Sequence, residues 1–94
     1  MLQVLRIEHS DNVVVALRDF TAGDVFELDG VSYTVNQDIP QGHKIALVDI
    51  DEGQPIIKYA VTIGLAGAGI CRGDHVHNHN LVYDGMPPVL RLRS

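Results

Sequence analysis

The densest run of side chains able to do chemistry is His75-Val76-His77-Asn78-His79-Asn80. On an extended strand successive side chains alternate, so His75, His77 and His79 share one face. Neighbouring members then stand ~7 Å apart at Cα, near enough for two imidazoles to converge on one ion. The outer pair would be ~13 Å apart, too far to share that ion without a bend. A straight strand therefore gives two ligands, and a third must come from His43 or from a carboxylate of a partner subunit. Neutral imidazole suits zinc, iron and manganese, and histidines with open coordination positions suit a Lewis-acid site. The plainer alternative is a solvated or hydrogen-bonded histidine strand with Asn78 and Asn80 forming a turn. No Glu follows at the distance a cupin pair would need.

A second polar grouping is Asp38-Ile39-Pro40-Gln41-Gly42-His43-Lys44. Pro40 and Gly42 build a tight turn that sets His43 and Lys44 at the entrance of a strand, and turns on a rigid sheet are where sites are built. A His–Lys pair offers two donors to a carboxylate or hydroxyl group; the alternative is a surface turn with an exposed Lys. Lys58 reads as a solvated strand residue unless an anion sits beside it. Asp49, Asp51 and Glu52 read as solvated turn residues. The sequence holds no nucleophile elbow, phosphate loop or paired-carboxylate arrangement. Cys71 is the only cysteine; it excludes an internal disulfide and reads as a small core hydrophobe.

The elements that must hold these residues are strands. Val31, Tyr33 and Val35 alternate with Ser32, Thr34 and Asn36, the period of a half-buried strand. Val13-Val14-Val15-Ala16-Leu17 is a continuous apolar run, as in a strand covered on both faces. Asp29-Gly30 between residues 25–28 and 31–35 is a hairpin signal, and Ser10-Asp11-Asn12 marks a turn between 2–8 and 13–18. Further strands are expected at 44–49, 55–59, 62–66, 75–77 and 81–83. The expected fold class is all-β, with little helix.

One turn pattern recurs: Phe20-Thr21-Ala22-Gly23, Ile50-Asp51-Glu52-Gly53 and, more loosely, Ile70-Cys71-Arg72-Gly73. An apolar residue precedes each Gly by three, and the Gly suits a turn of positive φ. The unequal spacing excludes a solenoid and points to one turn solution reused within a barrel-like fold. Residues 1–84 read as the domain and 85–94 as a tail, where Met86-Pro87-Pro88 cannot continue a central strand. An edge strand, a docking arm and a linker all remain open for that tail.

Ninety-four residues make one domain at most, and a chain this short has little room for a large cleft beside its core. With 46% hydrophobic and 20% charged residues it is not a disordered polypeptide. The net charge of −5 is uneven: residues 1–56 hold ten acids against three bases, and residues 57–94 two acids against four bases. The acidic total excludes nucleic acid as the expected partner, whereas the histidine-rich third can tolerate a small anion. The first residues lack a signal-peptide apolar run and no window reaches membrane-spanning length, so a cytoplasmic protein without a membrane partner is expected.

Three blocks together resemble the altronate/galactarate dehydratase family. They are Asp38-Ile39-Pro40-Gln41-Gly42-His43-Lys44-Ile45-Ala46-Leu47, then Gly53-Gln54-Pro55-Ile56-Ile57-Lys58-Tyr59 with Ile63-Gly64, then Ile70 through Asn80 as a closing motif. In order and spacing they cover roughly residues 12–82. The resemblance implies a SAF-like β-clip domain, either the N-terminal part of a long dehydratase or a separate small subunit beside a large catalytic one. It implies elimination of water from altronate or galactarate to a 2-keto-3-deoxy acid, a carbon–oxygen lyase reaction, or of sulfite from sulfolactate. It also implies a divalent metal, iron(II) or manganese(II), shared with the large subunit.

Such an elimination needs a base for the proton beside the carboxylate and an acid or Lewis acid for the leaving group. By the resemblance, His77 and His79 match the family's paired histidines and contact substrate or metal. His43, Lys44 and Asn80 would orient the oxygens of an anionic sugar acid, and His75 falls where the motif varies. A non-catalytic carbohydrate- or metal-binding module, or an assembly module, is the alternative from another class. Self-association into a homo-oligomer through open strand edges is a further expectation.

Overall fold

The computed structural model describes residues 2–82. They form an all-β domain, with no helix among them. The strands are β1 (Val4–Leu5), β2 (Val13–Ala16), β3 (Val25–Leu28), β4 (Val31–Thr34), β5 (Lys44–Ala46), β6 (Pro55–Lys58), β7 (Val61–Ala66), β8 (His75–Val76) and β9 (Leu81–Val82). The expected strand positions hold, but most are shorter than the apolar runs that marked them. The stretch expected at 2–8 pairs only at Val4–Leu5. Tyr83 and the tail of 85–94 lie outside the described residues.

A central antiparallel sheet runs β1-β2-β5-β8, flanked by the hairpin β3-β4 and by the sheet β6-β7-β9. The run at Val13–Ala16 is covered on both faces, as its composition required. Val14 and Ala16 join a core with Phe20, Phe26, Tyr33, Val35, Ile39 and Ile45, while Val13 turns to the other side with Ala46, Ile50, Ile56, Ile70 and Val76. Each fully buried Val, Ile or Phe among them contributes about 1.5–3 kcal/mol. The central sheet is thus fixed by two cores, and β5 and β8 inherit that rigidity.

The recurring turn belongs to a larger repeat. Phe20 and Ile39 exchange backbone hydrogen bonds of 2.8 and 2.9 Å, and Ile50 and Ile70 do the same at 2.8 Å each. A hairpin fills the space inside each bridge: β3-β4 in the first, β6-β7 in the second. Ala16 accepts from the Gly42 N–H and donates to the His43 carbonyl; Ala46 accepts from Gly73 and donates to Asp74 in the same way. Gly23, Gly42, Gly53 and Gly73 all have positive φ. Asp38-Ile39-Pro40-Gln41-Gly42 is therefore a fourth copy of the turn, hidden in sequence by its Pro. The two halves are copies of one motif, each ending in a Gly turn that leads into β5 or β8.

Both hairpins close through two residues of positive φ, as a type I′ turn requires. In the first these are Asp29 (φ 51) and Gly30 (φ 79); in the second, Tyr59 (φ 58) and Ala60 (φ 60). Side chains disfavour that conformation, and the second turn is held from outside. Asp11, only 4% exposed, accepts the N–H groups of Tyr59 and Ala60 at 3.1 and 2.9 Å, and that of Glu8 at 3.1 Å. Asn12 brackets the same strand, accepting from Ile57 N–H at 2.8 Å and donating to the Pro55 carbonyl at 3.0 Å.

Two residues differ from their sequence reading. Cys71 is exposed rather than part of the core, because it occupies the surface corner of a Gly turn. Asp49 is not merely solvated: its Oδ1 accepts the Arg72 N–H at 2.8 Å and ties two turns together.

Candidate functional site

The Gly42 turn delivers His43 to the start of β5, and the matching Gly73 turn delivers His75 to the start of β8. Those two strands are neighbours, with Ile45 opposite His75 and Lys44 opposite Val76. Side-chain alternation then places His43 and His75 on the same side of the sheet and Lys44 on the other. The fold duplication thus carries two histidines from distant turns to one point.

The chain bends directly after Val76. The His77 N–H donates to Asn80 Oδ1 at 2.9 Å, Asn80 N–H donates to the His77 carbonyl at 3.1 Å, and Asn80 Nδ2 donates to the His75 carbonyl at 2.8 Å. Both polar atoms of the Asn80 side chain are thereby engaged with backbone. The bend folds His77 over His43, with ring centroids 3.9 Å apart and planes 14° from parallel. His43 Nδ1 lies 2.8 Å from His75 Nε2. The ring of His79 approaches His75 with centroids 5.0 Å apart.

Among the described residues His43, His75 and His77 each offer a nitrogen, all within 4.8 Å of one another. His79 stands outside that group, at its rim. The third imidazole comes from His43, one of the two sources that the spacing left open, and the bend makes the grouping compact. Sequence reasoning set His75 aside as a variable position; the structure places it in the cluster, with its ring against His43.

The electrostatics favour uncharged rings at His75 and His77. Burial, then His79, His43, His77 and Lys44, hold His75 below the ordinary histidine range. Burial, then His43, Lys44 and His79, lower His77 in the same direction. Lys44, half-buried, is lowered by burial and then by Lys58. Burial pushes the Asp74 carboxyl up, but the Cys71 N–H, the Gln37 and Asn36 side-chain amides and His79 outweigh it and hold the acid below its usual value. A neutral imidazole is the form that accepts a proton or binds a metal.

Three imidazole nitrogens are donors of the kind a divalent cation takes. His77 Nδ1 is buried without a hydrogen-bond partner. Two nitrogens that ligate one tetrahedral ion at about 2.1 Å stand about 3.4 Å apart, so His43 and His75, at 2.8 Å, would have to part slightly to share one. Their mutual hydrogen bond would give up its proton on binding.

Comparison with known proteins completes this picture. The altronate/galactarate dehydratase SAF domain matches residues 2–84. The chain belongs to that family. Within it, this SAF domain is 46% identical over 79 residues to altronate dehydratase of Escherichia coli (strain K12), covering 84% of the chain and 16% of that relative. Altronate dehydratase of Bacillus subtilis (strain 168) is 45% identical over 80 residues, covering 85% and 16%. The (2R)-sulfolactate sulfo-lyase subunit alpha of Chromohalobacter salexigens is 43% identical over 51 residues, covering 54% of each chain. The SAF domain therefore spans about a sixth of the length of its altronate dehydratase relatives and about half of the sulfo-lyase subunit. All three resemblance blocks lie inside the matched span.

Sequence reasoning missed Gln37 and Asp74, which hold β8, and Asp11 and Asn12, which hold β6. Asp74 lies in the closing block without standing out there, and Gln37, Asp11 and Asn12 lie outside all three blocks. The available signal was polar residues at the ends of apolar runs, which is also the signature of any surface turn.

Proposed function

We propose that this chain is the small, SAF-domain component of a sugar-acid dehydratase or lyase, acting with a larger component that supplies the rest of the site. The convergence of His43, His75 and His77 within 4.8 Å carries the reading, in a chain whose relatives are dehydratases and lyases. On this reading His43, His75 and His77 hold iron(II) or manganese(II), completed by ligands of the large component. When bound, the metal supplies Lewis acidity to the departing hydroxyl.

The chain's own residues supply the remainder. Lys44, on the other face of β5, adds positive charge to the surroundings of His75 and His77, which favours an anionic sugar acid. His79, at the rim, is the residue we assign to contact substrate and carry a proton. Asn80 fixes the bend that presents His77 and His79. The elimination removes the proton beside the carboxylate and the neighbouring hydroxyl as water, and the enol so formed becomes a 2-keto-3-deoxy acid. Location in the cytoplasm goes with this reading.

Sulfite elimination from sulfolactate is a second reading. It is favoured by one observation: two of the matched relatives are sulfo-lyase alpha subunits, of which the chain covers 54% and 70%, against 16% of the altronate dehydratases. Combining the chain with its large component and testing altronate and sulfolactate side by side separates the two.

A further inference from the structure

β8 is a strand of two residues at the edge of the central sheet. One side pairs with β5, leaving the N–H of His75 directed away from the sheet. That N–H donates to Oε1 of Gln37 at 2.8 Å. The other end of the same amide, Nε2, donates to Asp74 Oδ1 at 3.0 Å. Asp74 Oδ2 accepts the Cys71 N–H at 2.8 Å, closing its own turn. Asn36 adds Nδ2 donation to Asp74 Oδ1 and to the Arg72 carbonyl at 2.8 and 2.9 Å, and its N–H reaches the Gly73 carbonyl at 3.0 Å. Residues 36 and 37, just beyond the first hairpin, thus grip the segment that carries His75.

We propose that Gln37 is a positioning residue of the histidine cluster: its side-chain amide stands in for a missing neighbouring strand and fixes His75 where its ring meets His43. A two-residue strand has too few ladder bonds to hold its own register, and an edge N–H without a partner leaves the segment free to lift toward solvent. Asn36 grips the turn behind, and Gln37 alone among the described residues reaches the amide of His75. The inference rests on the cluster being the working site, but its test reads the imidazoles without turnover.

The experiment is long-range ¹H–¹⁵N spectroscopy of the imidazoles in the full chain, with the exposed His9 as reference. The unaltered chain shows His43 and His75 nitrogens with the shifts of a hydrogen-bonded pair. In Gln37→Met both move toward the shifts of solvated rings while His9 does not. Asn36→Ala, which spares the bond to His75, leaves the pair in place. Unchanged His43 and His75 signals in Gln37→Met overturn the proposal, as does an equal effect of Asn36→Ala. A measurement without substitution guards against a variant that does not fold: the His75 amide of the unaltered chain is protected from hydrogen exchange, and fast exchange there also overturns it. Absence of dehydratase activity would defeat the proposed function and leave these signals as they are.

Discussion

His43 Nδ1 meets His75 Nε2 at 2.8 Å across 32 residues of sequence. The contact exists because each histidine leaves an equivalent Gly turn, one in each half of a duplicated motif, and the two turns feed adjacent strands. Removing one ring of the cluster should therefore differ from removing the ring at its rim. His43→Ala, His75→Ala and His77→Ala are each expected to abolish tight binding of manganese(II) or zinc(II) by the assembled protein. His79→Ala is expected to retain the metal and lose about 10²-fold in turnover, the scale of a lost proton-transfer group. Metal content and turnover measured on the same preparations check this.

The Gly73 turn tolerates no side chain. A Cβ there would lie 2.2 Å from the Thr34 carbonyl oxygen, at φ 91, whereas Gly23 at φ 93 faces open space. Gly23→Ala is expected to cost about 1–2 kcal/mol from its backbone conformation alone. Gly73→Ala should cost clearly more and displace His75 as well. Denaturant unfolding of the two variants makes the comparison.

The turn at Tyr59-Ala60 stores strain that glycine relieves. Ala60→Gly is expected to stabilise the chain by about 1 kcal/mol, because Ala60 holds φ 60 without a glycine's freedom. Thermal unfolding reads the change directly, and a loss of stability would show that the turn is not strained.

Asp11 gives the fold a dependence on acid pH. Burial pushes its carboxyl up, but the N–H groups of Ala60, Glu8, Tyr59 and Ile7 outweigh it, so the folded value lies below the ordinary one. A depressed carboxyl stabilises the fold above its unfolded value, about 3.9. That contribution fades as pH falls from there through the folded value. Asp11→Asn should lose about 1–3 kcal/mol near neutral pH and flatten the stability profile in this acid window. Unfolding free energies measured from pH 6 down to the acid limit test both statements.

What the sequence reveals about this fold follows the range of the forces involved. Asp29-Gly30 was readable because the φ preference of those two residues is local. Tyr59-Ala60 forms the same turn invisibly, since the amides of an unlikely pair are held by Asp11 from a different segment. The histidine run was conspicuous, but its geometry depended on the Asn80 bend and on strand pairing between β5 and β8, both non-local. His75 therefore looked expendable, yet its ring meets His43, which in turn stacks on His77. Gln37 gave no sign at all, because a side-chain amide that replaces a strand has no pattern of its own.

The most direct test of the central claim is a mixing assay. The chain is combined with the large component from the same organism and iron(II), and 2-keto-3-deoxy acid formation from altronate is followed, with His77→Ala as control. Activity that requires both chains and falls at least about 10²-fold in His77→Ala is the expected result. Full activity from the large component alone, or an undiminished rate with His77→Ala, would contradict a site shared between the two.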